Sequence, residues 1–296
     1  MTSECRKRRT TLILLILFCM LSANDSSAQQ STKQGTAKVN GTSIFYETRG
    51  TGFPIVFVSG GGILDRRGWD NQFETFAETH RVIRYDIRGL GKSARPKGPF
   101  SHSKDLYALL TFLKIKRAHI VGLSVGGAIA IDFAIEHPEI VDCLILGSPG
   151  LSSDAKSELN LQGLAVIADK AKTNGIEHVI QLTLDVPFVV SKQNVAGRKK
   201  VREVYLDNQD VIASGFPLWT LWQPIQPPPE NRLATIRSRV LIIRGDSDSP
   251  AFASMTDRIS KGIPQSTTVV IPGGTHFLHL EKPAEFNQAM RDFLKQ

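Results

Sequence analysis

The pentapeptide Gly122-Leu123-Ser124-Val125-Gly126 sets a serine between two glycines at a spacing that can expose and activate it. The apolar run Ala118–Val121 ahead of it reads as a strand, and Val125–Glu136, with Gly126, Gly127, Ala128 and Ala130 near its start, reads as a helix. A strand that turns sharply into a helix presents the intervening hydroxyl at the sheet's edge, and the glycines accept the backbone crowding which that turn imposes. The first amides of the helix point at the same spot and favour developing negative charge. The plainer reading is a glycine-rich turn whose serine only caps the helix. The chemistry on offer is nucleophilic attack. A serine hydroxyl attacks poorly until a nearby imidazole takes its proton, and that imidazole needs a carboxylate to fix its tautomer and stabilise its cation. The chain has seven histidines to supply the base. No Cys/His cluster has metal-ligand spacing, and neither a metal nor a cofactor is expected.

Those residues need a frame to hold them. Short apolar, β-branched runs alternate with longer helical patterns, which predicts an α/β fold with a mostly parallel central sheet flanked by helices. Asn40-Gly41 between Ala37–Val39 and Ser43–Thr48 predicts a hairpin. Pro54–Ser59, Arg81–Asp86, Ala118–Leu123, Ile140–Gly147, Val240–Arg244 and Thr267–Ile271 follow as strands, with helices at about Trp69–Thr79, Ser103–Leu113, Val125–Glu136, Phe252–Lys261 and Pro283–Leu294. Between Pro149 and Glu230 strand-like runs give way to helical stretches, then resume at Val240. An inserted helical lid is expected over 149–232, dividing the core into 29–148 and 233–296.

These motifs together resemble the α/β-hydrolase fold superfamily, in its serine esterase and haloperoxidase-like group, over about Val39 to Phe293. The resemblance implies a triad in the order Ser124, Asp248, His276. Asp248 stands four positions along Gly245-Asp246-Ser247-Asp248, and His276 stands in Gly274-Thr275-His276 ahead of the Pro283-led helix. Asp246 is the rival acid and His279 the rival base. For the oxyanion hole the resemblance implies the Val125 amide and, from Ser59-Gly60-Gly61-Gly62, the Gly61 amide with Gly62 as second choice. The family usually has histidine where Ser59 stands. Asp86-Ile87-Arg88-Gly89-Leu90-Gly91-Lys92-Ser93 resembles a structural turn of the group, in which Asp86 and Arg88 can pair. Relatives with a carboxylate at the elbow form alkyl esters; a serine implies an acyl-enzyme, with water as the simplest second substrate. Phe188, Phe216, Trp219 and Trp222 are the large apolar candidates for the substrate pocket, or else join the lid to the core.

The 296 residues are 41% hydrophobic and 22% charged, which excludes a disordered, collagen-like or multi-span membrane chain. The formal charge of +8 raises nucleic acid as a partner. Part of it falls in residues 1–28, where Arg6, Lys7, Arg8 and Arg9 precede the apolar run Leu12–Leu21 and a small polar stretch. That is the layout of a signal peptide, and ten apolar residues are too short to span a bilayer as helix. Cleavage after Ala28 would leave a formal +6, with Cys143 the one remaining cysteine. A secreted or periplasmic serine hydrolase acting on small carboxylic esters or lactones is expected, with no nucleic-acid partner and no stable membrane span after cleavage. An uncleaved signal would tether it to the membrane. The alternatives are an aminopeptidase like the proline iminopeptidases, which would need a lid carboxylate such as Glu203, Asp207 or Asp210, and a non-catalytic ligand-binding member of the fold.

Overall fold

Eight strands form one sheet in the order β1-β2-β4-β3-β5-β6-β7-β8. The structure, a computed structural model, describes residues 31–296 apart from Gly61 and Lys156. The expected signal peptide therefore lies outside the described residues, and so does Gly61. β1 (Lys33–Val39) and β2 (Thr42–Arg49) pair antiparallel across Asn40-Gly41, whose φ angles of 48° and 67° are those a tight two-residue hairpin requires. β2 runs antiparallel to β4 (Arg81–Tyr85). From β4 onward the sheet is parallel through β3 (Pro54–Val58), β5 (Ala118–Leu123), β6 (Val141–Gly147), β7 (Arg239–Gly245) and β8 (Ser266–Ile271). Every residue of β5 is buried, as expected of a strand covered on both faces. The order reverses beside β3 and β5. In open parallel sheets, ligands bind beyond the carboxyl ends of the strands at such a switch.

The chain between β6 and β7 runs through helices at Ser152–Ala155, Glu158–Asn174, Ile176–Asp185, Val195–Asp207, Gln209–Ala213 and Pro217–Thr220. No helix among the described residues is long and apolar enough to cross a membrane. Both ends of this insertion meet at Asp132, in the helix Val125–Glu136 that follows β5. Its carboxylate accepts from Ser152 Oγ at 2.8 Å and from the Ile225 amide. Burial raises its pKa to about 7, with Glu136 adding to the rise and Arg232 opposing it. The folded state thus holds this proton more tightly than the unfolded state, so stability is full below about pH 4 and declines as the pH climbs to 7. At about 1.4 kcal/mol per pH unit the loss is on the order of a few kcal/mol. Asp132→Asn keeps an acceptor and cannot ionise. Urea denaturation at pH 5 and pH 8 is expected to show the variant gaining on the parent protein at pH 8, and an equal difference at both pH values would refute this.

The turn after β4 differs from the expected Asp86–Arg88 pair. Asp86 instead takes the Arg66 guanidinium at 2.9 Å together with the Arg66 and Lys92 amides, while Arg88 grips Asp105 through Nε at 2.8 Å and Nη2 at 2.6 Å. Past the end of β4 the chain turns at Asp86–Arg88, and each of the two side chains finds its partner on another element, Arg66 after β3 and Asp105 in the helix His102–Phe112. Gly91 shows why the turn is glycine-rich. Its φ is 49°, and a Cβ there would lie 2.3 Å from Asp86 Oδ2. Side chains from the segments after β3 and β4 fasten the later half of the insertion: Arg67 pairs with Asp207 at 2.6 Å, Arg95 with Asp210 at 2.9 Å and Lys200 with Asp70 at 2.7 Å.

Candidate active site

Ser124 follows β5 directly and occupies the N-cap position of the helix Val125–Glu136, with φ 54° and ψ −117°, a conformation that costs a non-glycine residue on the order of 1–3 kcal/mol. Its neighbours explain how the turn closes. A Cβ on Gly122 would come 2.2 Å from the Gly126 carbonyl oxygen, and one on Gly126 would come 2.5 Å from that of Val58. The backbone itself is held by the Ser124 N–H donating to the Gly147 carbonyl at 2.8 Å, and by the Gly150 and Ala128 amides donating to the Ser124 carbonyl.

The loops after β7 and β8 bring the other two residues to this serine. His276 Nε2 lies 2.9 Å from Ser124 Oγ, and His276 Nδ1 lies 3.0 Å from Asp248 Oδ2. The second oxygen of Asp248 accepts the Ser249 N–H at 2.7 Å. All three side chains are buried or nearly so, and the Phe252 ring packs against the imidazole at a 31° tilt with centroids 3.9 Å apart. Asp246 sits elsewhere: it takes the Gly273 N–H at 2.7 Å and so shapes the turn before His276. His279 is in the core against Trp69 and Phe286, and burial pushes its pKa down to about 3, leaving it neutral. The structure therefore joins Ser124, His276 and Asp248 and leaves both rivals out.

The loop after β3 runs against this elbow. A Cβ on Gly60 would meet the Leu123 carbonyl oxygen at 2.0 Å and the Gly126 nitrogen at 2.5 Å, a contact that admits only glycine. Ser59 Oγ donates to the Tyr85 carbonyl at 2.7 Å, tying this loop to β4. Val125 brings the first amide of the helix, one of those a helix leaves free for an anion. Gly62, with φ 71°, lines the site; Gly61 lies outside the described residues.

Ser124 and His276 open on a cavity of about 340 Å³ between the core and the insertion. Phe188 and Trp219 line it. Phe216 and Trp222 do not: Trp222 is buried against His102 with centroids 5.1 Å apart, and both act as packing that joins the insertion to the core. Sequence reasoning missed Leu151, Leu164, Tyr205, Phe252 and Met255, apolar or aromatic residues brought to the cavity from four separate elements. The Tyr205 phenol is pushed up to about 12 by burial, so it stays protonated and beside Thr183. The one charged side chain lining the cavity among the described residues is Asp154, and Arg258 holds it at 2.6 Å. Glu203, Asp207 and Asp210 lie off the cavity, facing Lys199, Arg67 and Arg95.

One further cluster has the donor types of a metal centre. His119, Asp142 and Cys143 bring ligand atoms within 4.8 Å of one another on β5 and β6. Arg239 Nη2 already donates to Cys143 Sγ at 3.1 Å, Arg117 pairs with Asp142 at 2.8 Å, and burial raises the thiol pKa to about 11. Two guanidinium groups on a protonated thiol and a carboxylate make a charge-paired cluster, unsuited to a cation.

Residues 55–289 match the alpha/beta hydrolase family, and the chain belongs to that family. Among curated relatives, the 2-hydroxy-6-oxo-6-phenylhexa-2,4-dienoate hydrolase of Comamonas testosteroni is 28% identical over 268 residues, 86% of this chain and 91% of its own. Among solved structures, an N-acyl homoserine lactone degrading enzyme superposes with a TM-score of 0.70 at 28% identity, covering 88% of this chain and 100% of that one. A thermophilic esterase from Thermogutta terrifontis superposes with a TM-score of 0.74 at 24% identity, over 89% of this chain and 98% of that one, a likeness of fold.

Proposed function

We propose that this chain is an exported serine hydrolase that cleaves small carboxylic esters or lactones through an acyl-enzyme. The observation that carries the reading is the relay from Ser124 Oγ to His276 Nε2 at 2.9 Å and from Nδ1 to Asp248 at 3.0 Å, opening on an apolar cavity. In this reading Ser124 Oγ attacks the substrate carbonyl carbon while its proton passes to His276 Nε2. The carbonyl oxygen becomes an oxyanion held by the Val125 N–H and a second amide of the Gly60–Gly62 loop. Collapse breaks the bond to the alkoxy group, which leaves with the proton from His276. Water then attacks the acyl-enzyme with His276 as base, restoring the serine. Membership of a family of hydrolases, with an esterase and a lactone-degrading enzyme among its structural likenesses, supports this substrate class.

The lining favours neutral substrates. An aminopeptidase needs a free carboxylate for the substrate ammonium, and Asp154 is already held by Arg258. A fluorophosphonate probe is expected to label Ser124 stoichiometrically in the folded protein and to leave Ser124→Ala unlabelled. Against a panel of short acyl nitrophenyl esters and aminoacyl anilides, the esters are expected to be turned over at least 100-fold faster. An unlabelled Ser124, or faster cleavage of the anilides, would overturn the reading. Export is tested separately, by sequencing the amino terminus of protein recovered outside the cytoplasm, where cleavage after Ala28 is expected.

A further inference from the structure

The hairpin turn of β1 and β2 and the chain at Arg88–Pro99 enclose an open groove of about 650 Å³, separate from the cavity at Ser124. Four cationic side chains line it, Lys38, Arg88, Arg95 and Lys97, and no carboxylate does among the described residues. Their roles differ. Arg95 is spent: its Nε and Nη2 reach Asp210 at 2.9 and 3.0 Å and its Nη1 donates to the Gly89 carbonyl at 2.7 Å. Arg88 is nine-tenths buried and fixed by Asp105 and the Asn40 carbonyl through Nε and Nη2, while its Nη1 donates to no described residue. Lys38 and Lys97 are exposed and have no ion-pair partner among the described residues. Ser43, paired across the strands with Lys38, lines the groove beside it.

Two unpaired ammonium groups about a rigidly held guanidinium, in a concavity without acidic lining, match a doubly charged oxyanion better than a neutral ligand. We propose that this groove is a second ligand site that binds a phosphate monoester group, with Lys38 and Lys97 neutralising its charge and Arg88 Nη1 orienting it. The geometry is independent of the acyl-transfer reading, since no residue of the groove lines the cavity at Ser124. The same group could arrive on a soluble metabolite or on a lipid headgroup.

The test is calorimetric titration of the full chain at low ionic strength with glycerol 3-phosphate, beside sedimentation with vesicles of phosphatidylcholine with or without phosphatidate. Saturable one-to-one binding is expected, unchanged in Ser124→Ala, and weaker by about fivefold for each of Lys38→Gln and Lys97→Gln and about 25-fold for the pair. The double variant Lys170→Gln/Lys172→Gln removes the same charge from the helix Glu158–Asn174 of the insertion, whose residues do not line the groove, and is expected to bind like the parent. Binding to the soluble phosphate alone assigns a metabolite, and binding only to phosphatidate vesicles assigns a headgroup. Absence of both, retention in the Lys38/Lys97 double variant, or equal weakening in the Lys170/Lys172 control would overturn the proposal.

Discussion

Asp248→Asn is expected to lower kcat by about 10³–10⁴-fold with KM little changed. The Ser249 N–H donates to Asp248 Oδ1 at 2.7 Å, so an asparagine must turn its carbonyl oxygen toward Ser249 and its amide NH₂ toward His276 Nδ1. Nδ1 then has to accept, the ring proton moves to Nε2, and an imidazole protonated at Nε2 cannot take the proton of Ser124 2.9 Å away. Asp246→Asn makes the contrast. Its carboxylate receives the Gly273 amide and the Ser247 hydroxyl, so the variant should lose about 1 kcal/mol of stability and less than tenfold in activity. Steady-state kinetics on a nitrophenyl ester decides between the two aspartates; a larger loss from Asp246→Asn would give it the role of acid.

Gly245→Ala is expected to cost about 3 kcal/mol or more and to lower Tm by about 6–12 °C. A Cβ there would stand 1.8 Å from the carbonyl oxygen of Gly274 and 2.2 Å from its carbon. Both atoms are backbone, so no side chain can rotate away, and relief requires the ends of β7 and β8 to part. Asp248 and His276 follow these two glycines by three and two residues, so the parting also lengthens their hydrogen bond and activity should fall with stability. Gly163→Ala, in the exposed helix Glu158–Asn174 with open space around it, should instead gain about 0.5–1 kcal/mol. Urea denaturation and thermal melting of both variants check the contrast, and a Gly245→Ala protein as stable as the parent would refute the clash.

The sheet and the meeting of Ser124, His276 and Asp248 were legible in the sequence because local rules set them. A continuous apolar run announces a strand buried on both faces, and the elbow glycines, the Gly245 turn and the glycines before His276 lie within a few residues of the groups they place. Partnerships across the fold were not legible. Asp86 and Arg88 are two residues apart in the chain, yet Asp86 binds Arg66 and Arg88 binds Asp105, because sequence proximity does not say which other elements the fold brings beside each charge. The lining of the cavity was half legible for the same reason. Phe188, Phe216, Trp219 and Trp222 are alike in type, and only the path of the insertion turns Phe188 and Trp219 inward while burying the other two in its seam with the core. Tyr205, Phe252 and Met255 fall at ordinary helical spacing and become pocket residues through tertiary packing alone.

The segment at Phe188–Val189 touches the site by its backbone as well as by its side chains. The Phe188 carbonyl accepts the His276 amide at 2.7 Å, the Val189 carbonyl accepts that of Phe277 at 3.1 Å, and Thr275 Oγ1 donates to Val189 at 3.2 Å. The part of the chain that shapes the pocket is thus also a splint for His276, and the two tasks are not separable modules. An engineer who transplants the insertion from a relative to change substrate preference would, in the same cut, release the imidazole from its seat. A graft that retains residues 186–190 and exchanges only the helices before them is the one whose turnover should survive.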